Sequence, residues 1–203
     1  MENSSTLFIR DPRCAMIVGQ TGCGKTEFIL DLIETVYLKH FHNIIIICPT
    51  LPFNAAYKSR PWVNHDRCVF TLSAFDDLHD ILRKLFNKFK NTETLYIIDD
   101  CAARKDMRRK NMLSELAFSG RHALQTVWIL TQKYNSVLTD FREQVKWICF
   151  FYCKDRDSFE NCLRENDVIP RAEHVVVRNM LKSHKHSKVV LRTEQPTAYQ
   201  VFI

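Results

Sequence analysis

Glycine is scarce in this chain. It carries four in 203 residues, where an average usage of about 7% would give roughly fourteen. A chain so poor in glycine is expected to keep it where no other residue works. Long apolar runs are missing too. The longest, such as Ile44 to Cys48, fall far short of the roughly 20 residues a membrane-crossing helix needs, so no membrane partner is expected. The opening MENSSTLFIRDP lacks the basic start and apolar stretch of a secretory signal, and an intracellular protein is expected. The eight cysteines include no C-x-x-C pair, which argues against a structural zinc or a disulfide framework. They read as reduced small hydrophobes, with Cys149 and Cys153 on one face of a strand. Repeats and low-complexity tracts are also missing.

What is present is a core-former. Apolar residues make up 46% of the chain, enough for a buried core, and the length favours one domain over 1–203. The formal charge of +6 permits an anionic partner without requiring one. Its basic residues cluster at Ala103–Lys110 and Leu181–Lys188.

Short apolar runs alternate with amphipathic stretches, which predicts an α/β fold with βα units around a mostly parallel sheet. Strands are expected at 14–19, 43–48, 68–72, 94–100, 126–132 and 145–152. Helices are expected at 25–39, with Phe28, Leu32, Thr35 and Val36 near one face, at 73–89 behind a Ser73/Asp76 capping box, at 107–120 ended by Gly120, and at 155–166. Pro49 and Pro52 open a polar loop running to Arg67. After Asp167 the pattern weakens: EHVVVRNML fits strand or helix, and TAYQVFI reads as a closing edge strand.

Three of the four glycines fall in one stretch. Gly19-Gln20-Thr21-Gly22-Cys23-Gly24-Lys25-Thr26 fits G-x-x-x-x-G-K-[ST] between a buried strand and a helix. Such a loop turns consecutive backbone N–H groups onto a phosphate at the positive end of a helix. Lys25 then reaches the β- and γ-phosphates of ATP, and the Thr26 hydroxyl ligates Mg²⁺. The strand of LYIIDD ends in two acids, Asp99 to anchor the Mg²⁺ shell and Asp100 to polarise water as general base. Gln132 closes the strand VWILTQ and would orient water near the γ-phosphate if that strand neighbours the one carrying Asp99. Arg121, after Gly120, is expected at the rim of the sheet, where it could enter a neighbouring subunit's site.

GQTGCGKT, LYIIDDC, SGRH and WILTQKYNSV…FREQVKWICFFYCKDRDSFENCL occur in this order over roughly residues 10–166. Together they resemble the genome-packaging ATPases of poxviruses, giant viruses and Maverick/Polinton-type elements, a branch of the FtsK–HerA superfamily. The resemblance implies a three-layer, RecA-like P-loop NTPase fold of the additional-strand type, with one strand between those carrying Lys25 and Asp99. It implies ATP hydrolysis with Mg²⁺ in a homo-oligomeric ring, pentamer or hexamer, around double-stranded DNA. Arg121 becomes the first choice for a finger acting in trans and Arg142, two residues before Gln144, the second. Gln132 becomes a sensor. Asp100 stands where many superfamily members carry Glu.

The expectation is therefore an ATP-driven DNA translocase that packages a viral or virus-like genome. It would act in the cytoplasm or nucleus of an infected cell or in the virion, with the Ala103–Lys110 segment gripping DNA phosphates. With no large appended domain expected, a capsid protein would be met through residues 167–203, which extend the core, through the loop from Pro49 to Arg67, or by way of another protein. Two other readings stay open: a small-molecule kinase or GTPase, though the only Asn-Lys pair, Asn87-Lys88, lacks the guanine-reading N-K-x-D pattern, and a DNA-clamping protein that binds ATP without turnover.

Overall fold

A computed structural model describes residues 13–64, 69–70, 77–99, 101 and 112–203. Asp100, the Ser73/Asp76 pair and the basic segment Ala103–Lys110 lie outside the described residues.

The described strands are β1 (Ala15–Val18), β2 (Asn43–Ile47), β3 (Val69–Phe70), β4 (Thr94–Ile98), β5 (Gln125–Thr131), β6 (Trp147–Phe151), β7 (Lys188–Arg192) and β8 (Ala198–Phe202). They form one sheet in the order β3-β2-β4-β5-β1-β6-β7-β8. From β3 to β6 every pairing is parallel, and β7 and β8 add on antiparallel. β5 therefore separates β1 from β4, the additional-strand arrangement that the resemblance implies. The helices are α1 (Lys25–Leu32), α2 (Ala55–Lys58), α3 (Leu78–Lys88), α4 (Met112–Ser119), α5 (Thr139–Arg142), α6 (Arg156–Asn166) and α7 (His174–Ser183).

Strand geometry sends alternate side chains to opposite faces, and here both faces are covered, so the central strands are apolar throughout. On one face Met16, Val18, Tyr96, Ile98, Ile129 and Phe150 pack with α3, α4, α6 and α7. On the other, Ala15, Ile17, Leu95, Ile97, Trp128 and Phe151 pack with α1 and Tyr57 of α2. Trp128 meets Tyr37 and Trp147 edge-on at centroid distances of 5.4 and 5.3 Å, and its indole N–H donates to the Arg13 carbonyl at 2.9 Å.

Several details differ from the sequence expectation, each for a local reason. α1 runs into a π-turn at Ile33–Tyr37, where the Leu38 N–H bonds back to the Ile33 carbonyl at 2.7 Å. The wider turn shifts the helical phase, so Ile33 and Tyr37 are buried while Thr35 and Val36 face solvent. α3 starts at Leu78, with the Asp77 carboxylate accepting from the His79 and Asp80 N–H groups as its N-cap. Gly120 follows α4 without a left-handed backbone; that conformation falls at Leu124, φ 57°. Gly120 is needed for space, since a Cβ there would sit 2.7 Å from the Gln125 carbonyl oxygen. Cys149 and Cys153 do not share a face. β6 ends at Phe151, and the two thiols join opposite cores.

The loop expected after Pro49 is instead a strap. It holds short turns at Leu51–Phe53 and Pro61–Asn64 around α2, and buries Tyr57 and Val63. EHVVVRNML is helical, as α7. β7 carries little strand signal of its own, because KVVLR is short and adjoins a basic run; its partner β6 makes it a strand.

Candidate nucleotide site

The phosphate loop lies at the carboxyl ends of the parallel strands, where ligands bind in open α/β sheets. The Gly19 N–H donates to the Thr131 carbonyl at 3.1 Å and the Gln20 N–H to the Tyr152 carbonyl at 3.2 Å, so β5 and the end of β6 fix the loop's entry. A Cβ on Gly19 would lie 2.6 Å from the Phe151 Cβ and 2.7 Å from the Cys23 sulfur. Gly24 has φ +99°, and a Cβ there would meet His186 Nδ1 at 2.9 Å. Neither position accepts a side chain. Gly24 is also the residue from which α1 starts, so the loop feeds directly into the positive end of that helix.

Lys25 reaches back over the loop, its ammonium donating to the Gly19 and Gln20 carbonyls at 2.7 and 3.0 Å. The Thr26 hydroxyl donates to Asp99 Oδ2 at 3.0 Å. Asp99 directly follows β4 and is only 5% exposed. The Tyr57 hydroxyl donates to the same Oδ2 at 2.7 Å. Burial first, and the Asp99 charge second, push the Tyr57 pKa well above the ordinary phenol value, so it stays a neutral donor. Cys23 sits within the loop, but burial raises its pKa more than the nearby Lys25 charge lowers it. That is the state of an inert thiol. The described cysteines are all free.

Gly24, Lys25, Thr26 and Asp99 line a cleft of about 360 Å³ that also contains Thr21, Gly22, Thr50, Asn54, Gln132 and His186. Gln132 is exposed into it from the end of β5, beside the strand that carries Asp99. His186, in the turn before β7 with φ 69°, donates Nδ1–H to the Cys23 carbonyl at 3.0 Å.

The two arginines go elsewhere. Arg121 is exposed in a larger cleft of about 560 Å³ at the amino ends of the strands, shared with Arg13, Gln144 and Lys146. That cleft holds none of the phosphate-loop residues. Arg142 is pinned within its own chain. It pairs with Glu165 at 2.8 and 2.9 Å, donates to the Val137 carbonyl at 2.6 Å and stacks over the Tyr134 ring at 4.8 Å.

Tyr57 and His186 carried no sequence signal for the site. Each reaches it from a distant stretch, His186 from 163 residues away.

Residues 4–197 match the family described as Poxvirus A32 protein. The DNA packaging protein OPG160 of Monkeypox virus is 26% identical over 181 residues, covering 85% of this chain and 58% of that protein. OPG160 of Vaccinia virus (strain Copenhagen) matches at 26% identity over 85% of this chain and 64% of its own length. The chain spans about six-tenths of the length of these curated relatives. Among solved structures, B204, the DNA-packaging ATPase from Sulfolobus Turreted Icosahedral Virus, superposes with a TM-score of 0.70 at 15% identity, over 95% of this chain and 98% of that one. The genome packaging NTPase B204 from Sulfolobus turreted icosahedral virus 2, in complex with AMPPCP, gives 0.66 at 14% identity over 96% and 99%. At such identities the likeness is one of fold.

Proposed function

The chain belongs to the poxvirus A32 protein family, and on that premise we propose that it is an ATP-hydrolysing motor that moves double-stranded DNA into a viral capsid. The observation that carries this reading is the meeting of Thr26 and Asp99 at 3.0 Å beside the phosphate loop. A hydroxyl at a helix start and a carboxylate at a strand end, 73 residues apart, form the pair that a magnesium nucleotide requires. The names of the relatives, DNA packaging proteins and packaging ATPases, supply the substrate class.

The donor set fits magnesium. Hydroxyl and carboxylate oxygens are its hard ligands, and it takes only one or two from protein when phosphates supply others. When bound, it neutralises charge on the β- and γ-phosphates.

In this reading the loop amides and the start of α1 hold the phosphates, and the Lys25 ammonium turns from the Gly19 and Gln20 carbonyls to the β- and γ-phosphate oxygens. Gln132 orients the attacking water. Asp100, outside the described residues, accepts its proton. Such fixed donors act where charge develops in the transition state and need no reorganisation at that moment.

Arg121 is the better trans finger of the two arginines, because Arg142 is committed to Glu165. The Arg121 cleft, at the opposite end of the sheet from the phosphate loop, favours a ring in which one copy's amino-end face meets its neighbour's nucleotide. A pentamer or hexamer would satisfy that. The segment Ala103–Lys110 would grip DNA phosphates, a contact that tracks any sequence. A capsid partner would be met by residues 167–203 or the strap after Pro49. The setting is the infected cell, in cytoplasm or nucleus, or the assembling virion. No described helix is long and apolar enough to cross a membrane.

The test is the ATPase rate of the purified oligomer at low salt, with and without double-stranded DNA. DNA stimulation is expected, and Asp100→Asn is expected to lower the stimulated rate by about 100-fold or more. Equal rates with and without DNA would overturn the motor reading.

A further inference from the structure

Tyr57 holds a position that the motor reading does not use. It lies on α2 in the strap, is 1% exposed, and shares Asp99 Oδ2 with the Thr26 hydroxyl. The strap is held against α1 and its continuation. Arg60 bonds Glu27, Asp31 and Glu34 at 2.9, 2.6 and 2.5 Å along α1 and its continuation. The Trp62 indole donates to Glu34 at 2.7 Å. Asn54, itself a lining residue of the nucleotide cleft, caps α2 by accepting from the Ala56 N–H at 3.0 Å. The phenol is therefore presented to Asp99 from a clamped segment.

We propose that Tyr57 is a positioning residue for the metal carboxylate, holding Asp99 in one orientation independently of Thr26. The two donors differ in their duties. Thr26 is itself a candidate metal ligand: its hydroxyl oxygen would give a lone pair to the metal while its O–H goes to Asp99. At Thr26 the hold on Asp99 and the hold on the metal are therefore one and the same, whereas Tyr57 touches Asp99 without that second duty. A buried carboxylate is held by the hydrogen bonds it accepts, and the phenol, whose hydroxyl has no place in the phosphate loop, keeps one of them in force throughout. Partners of this kind, one step behind the metal ligands, commonly govern metal affinity by about 10- to 100-fold.

The proposal rests on the magnesium-nucleotide reading, and the experiment separates the two. Wild type, Tyr57→Phe and Asp99→Asn are compared for binding of fluorescent ADP in EDTA, then for the Mn²⁺ concentration that half-saturates the protein–nucleotide complex by electron paramagnetic resonance. Tyr57→Phe is expected to bind nucleotide in EDTA within about twofold of wild type, yet to need about tenfold more metal. 3-Fluorotyrosine incorporated at position 57 keeps the hydroxyl and is expected to restore the wild-type value. A shift in Asp99→Asn with none in Tyr57→Phe overturns the role of Tyr57 alone. No shift in Asp99→Asn overturns both readings. If Tyr57→Phe loses nucleotide already in EDTA, or the fluorinated protein fails to restore metal binding, the hydroxyl shapes the pocket and the positioning role is overturned.

Discussion

The two ends of the parallel sheet are built on opposite plans. At the carboxyl end, charge is turned inward: Asp99 is nearly buried and bonded by Thr26 and Tyr57, and Lys25 caps the loop carbonyls. At the amino end, a wider cleft gathers Arg13, Arg121 and Lys146 with Glu93, and leaves Phe118 and Leu124 about half exposed. The first end is the proposed nucleotide site, and its groups already hold one another. The second sets exposed Arg121 beside partly exposed apolar side chains, a mixture that the proposed contact between copies would use. In the proposed ring the same molecule would supply both, one end to each neighbour.

The comparison is tested hardest at Arg121. Arg121→Ala is expected to lower kcat by about 1,000-fold while leaving nucleotide affinity unchanged, since a finger acts on the transition state. Mixed with Lys25→Ala subunits, it should recover activity at interfaces that pair an intact loop with an intact arginine. No recovery at assembling concentrations would deny the amino end its role. Arg142→Ala should behave in the contrary way. Its guanidinium is 10% exposed and Glu165 is 31% exposed, so losing the pair should cost about 2 kcal/mol after discounting for solvent. Calorimetry should then find Tm roughly 4–8 °C lower, while the folded protein keeps its kcat. A fall in kcat without loss of stability would make Arg142 the finger instead. The smallest effect is expected for Phe118→Ser. At 51% exposure it should change subunit stability by no more than about 0.5 kcal/mol, yet shift the mass distribution toward smaller assemblies. An unchanged distribution would remove the apolar part of the argument.

The parts that could be read from the sequence are those whose physics is local. A phosphate loop needs glycine, lysine and threonine within eight positions, and Gly19 to Thr26 supply them. The central parallel strands announce themselves because both faces of the sheet are covered there, which writes apolar runs such as NIIII into the chain. The π-turn at Ile33–Tyr37 was hidden, since one extra residue in a turn changes the phase without changing the composition. The strap looked like a loop because α2 has only four residues, and its hold on α1 comes from Arg60 meeting acids 26 to 33 positions earlier. β7 was equally hidden, for a five-residue strand takes its identity from the neighbour it pairs with.

By itself, the sequence determined that a glycine-rich loop of the phosphate-loop pattern stands between a buried strand and a helix, and that an acid follows a later strand. Those features depend on backbone freedom and side-chain chemistry over a few consecutive residues. Only the tertiary structure decided which distant groups serve them: Tyr57 on Asp99, His186 on the Cys23 carbonyl, Arg142 locked to Glu165, and Arg121 carried to the far end of the sheet. A hydrogen bond between residues 42 or 163 positions apart leaves no periodic trace in the chain, because strand order and packing alone bring its two ends together.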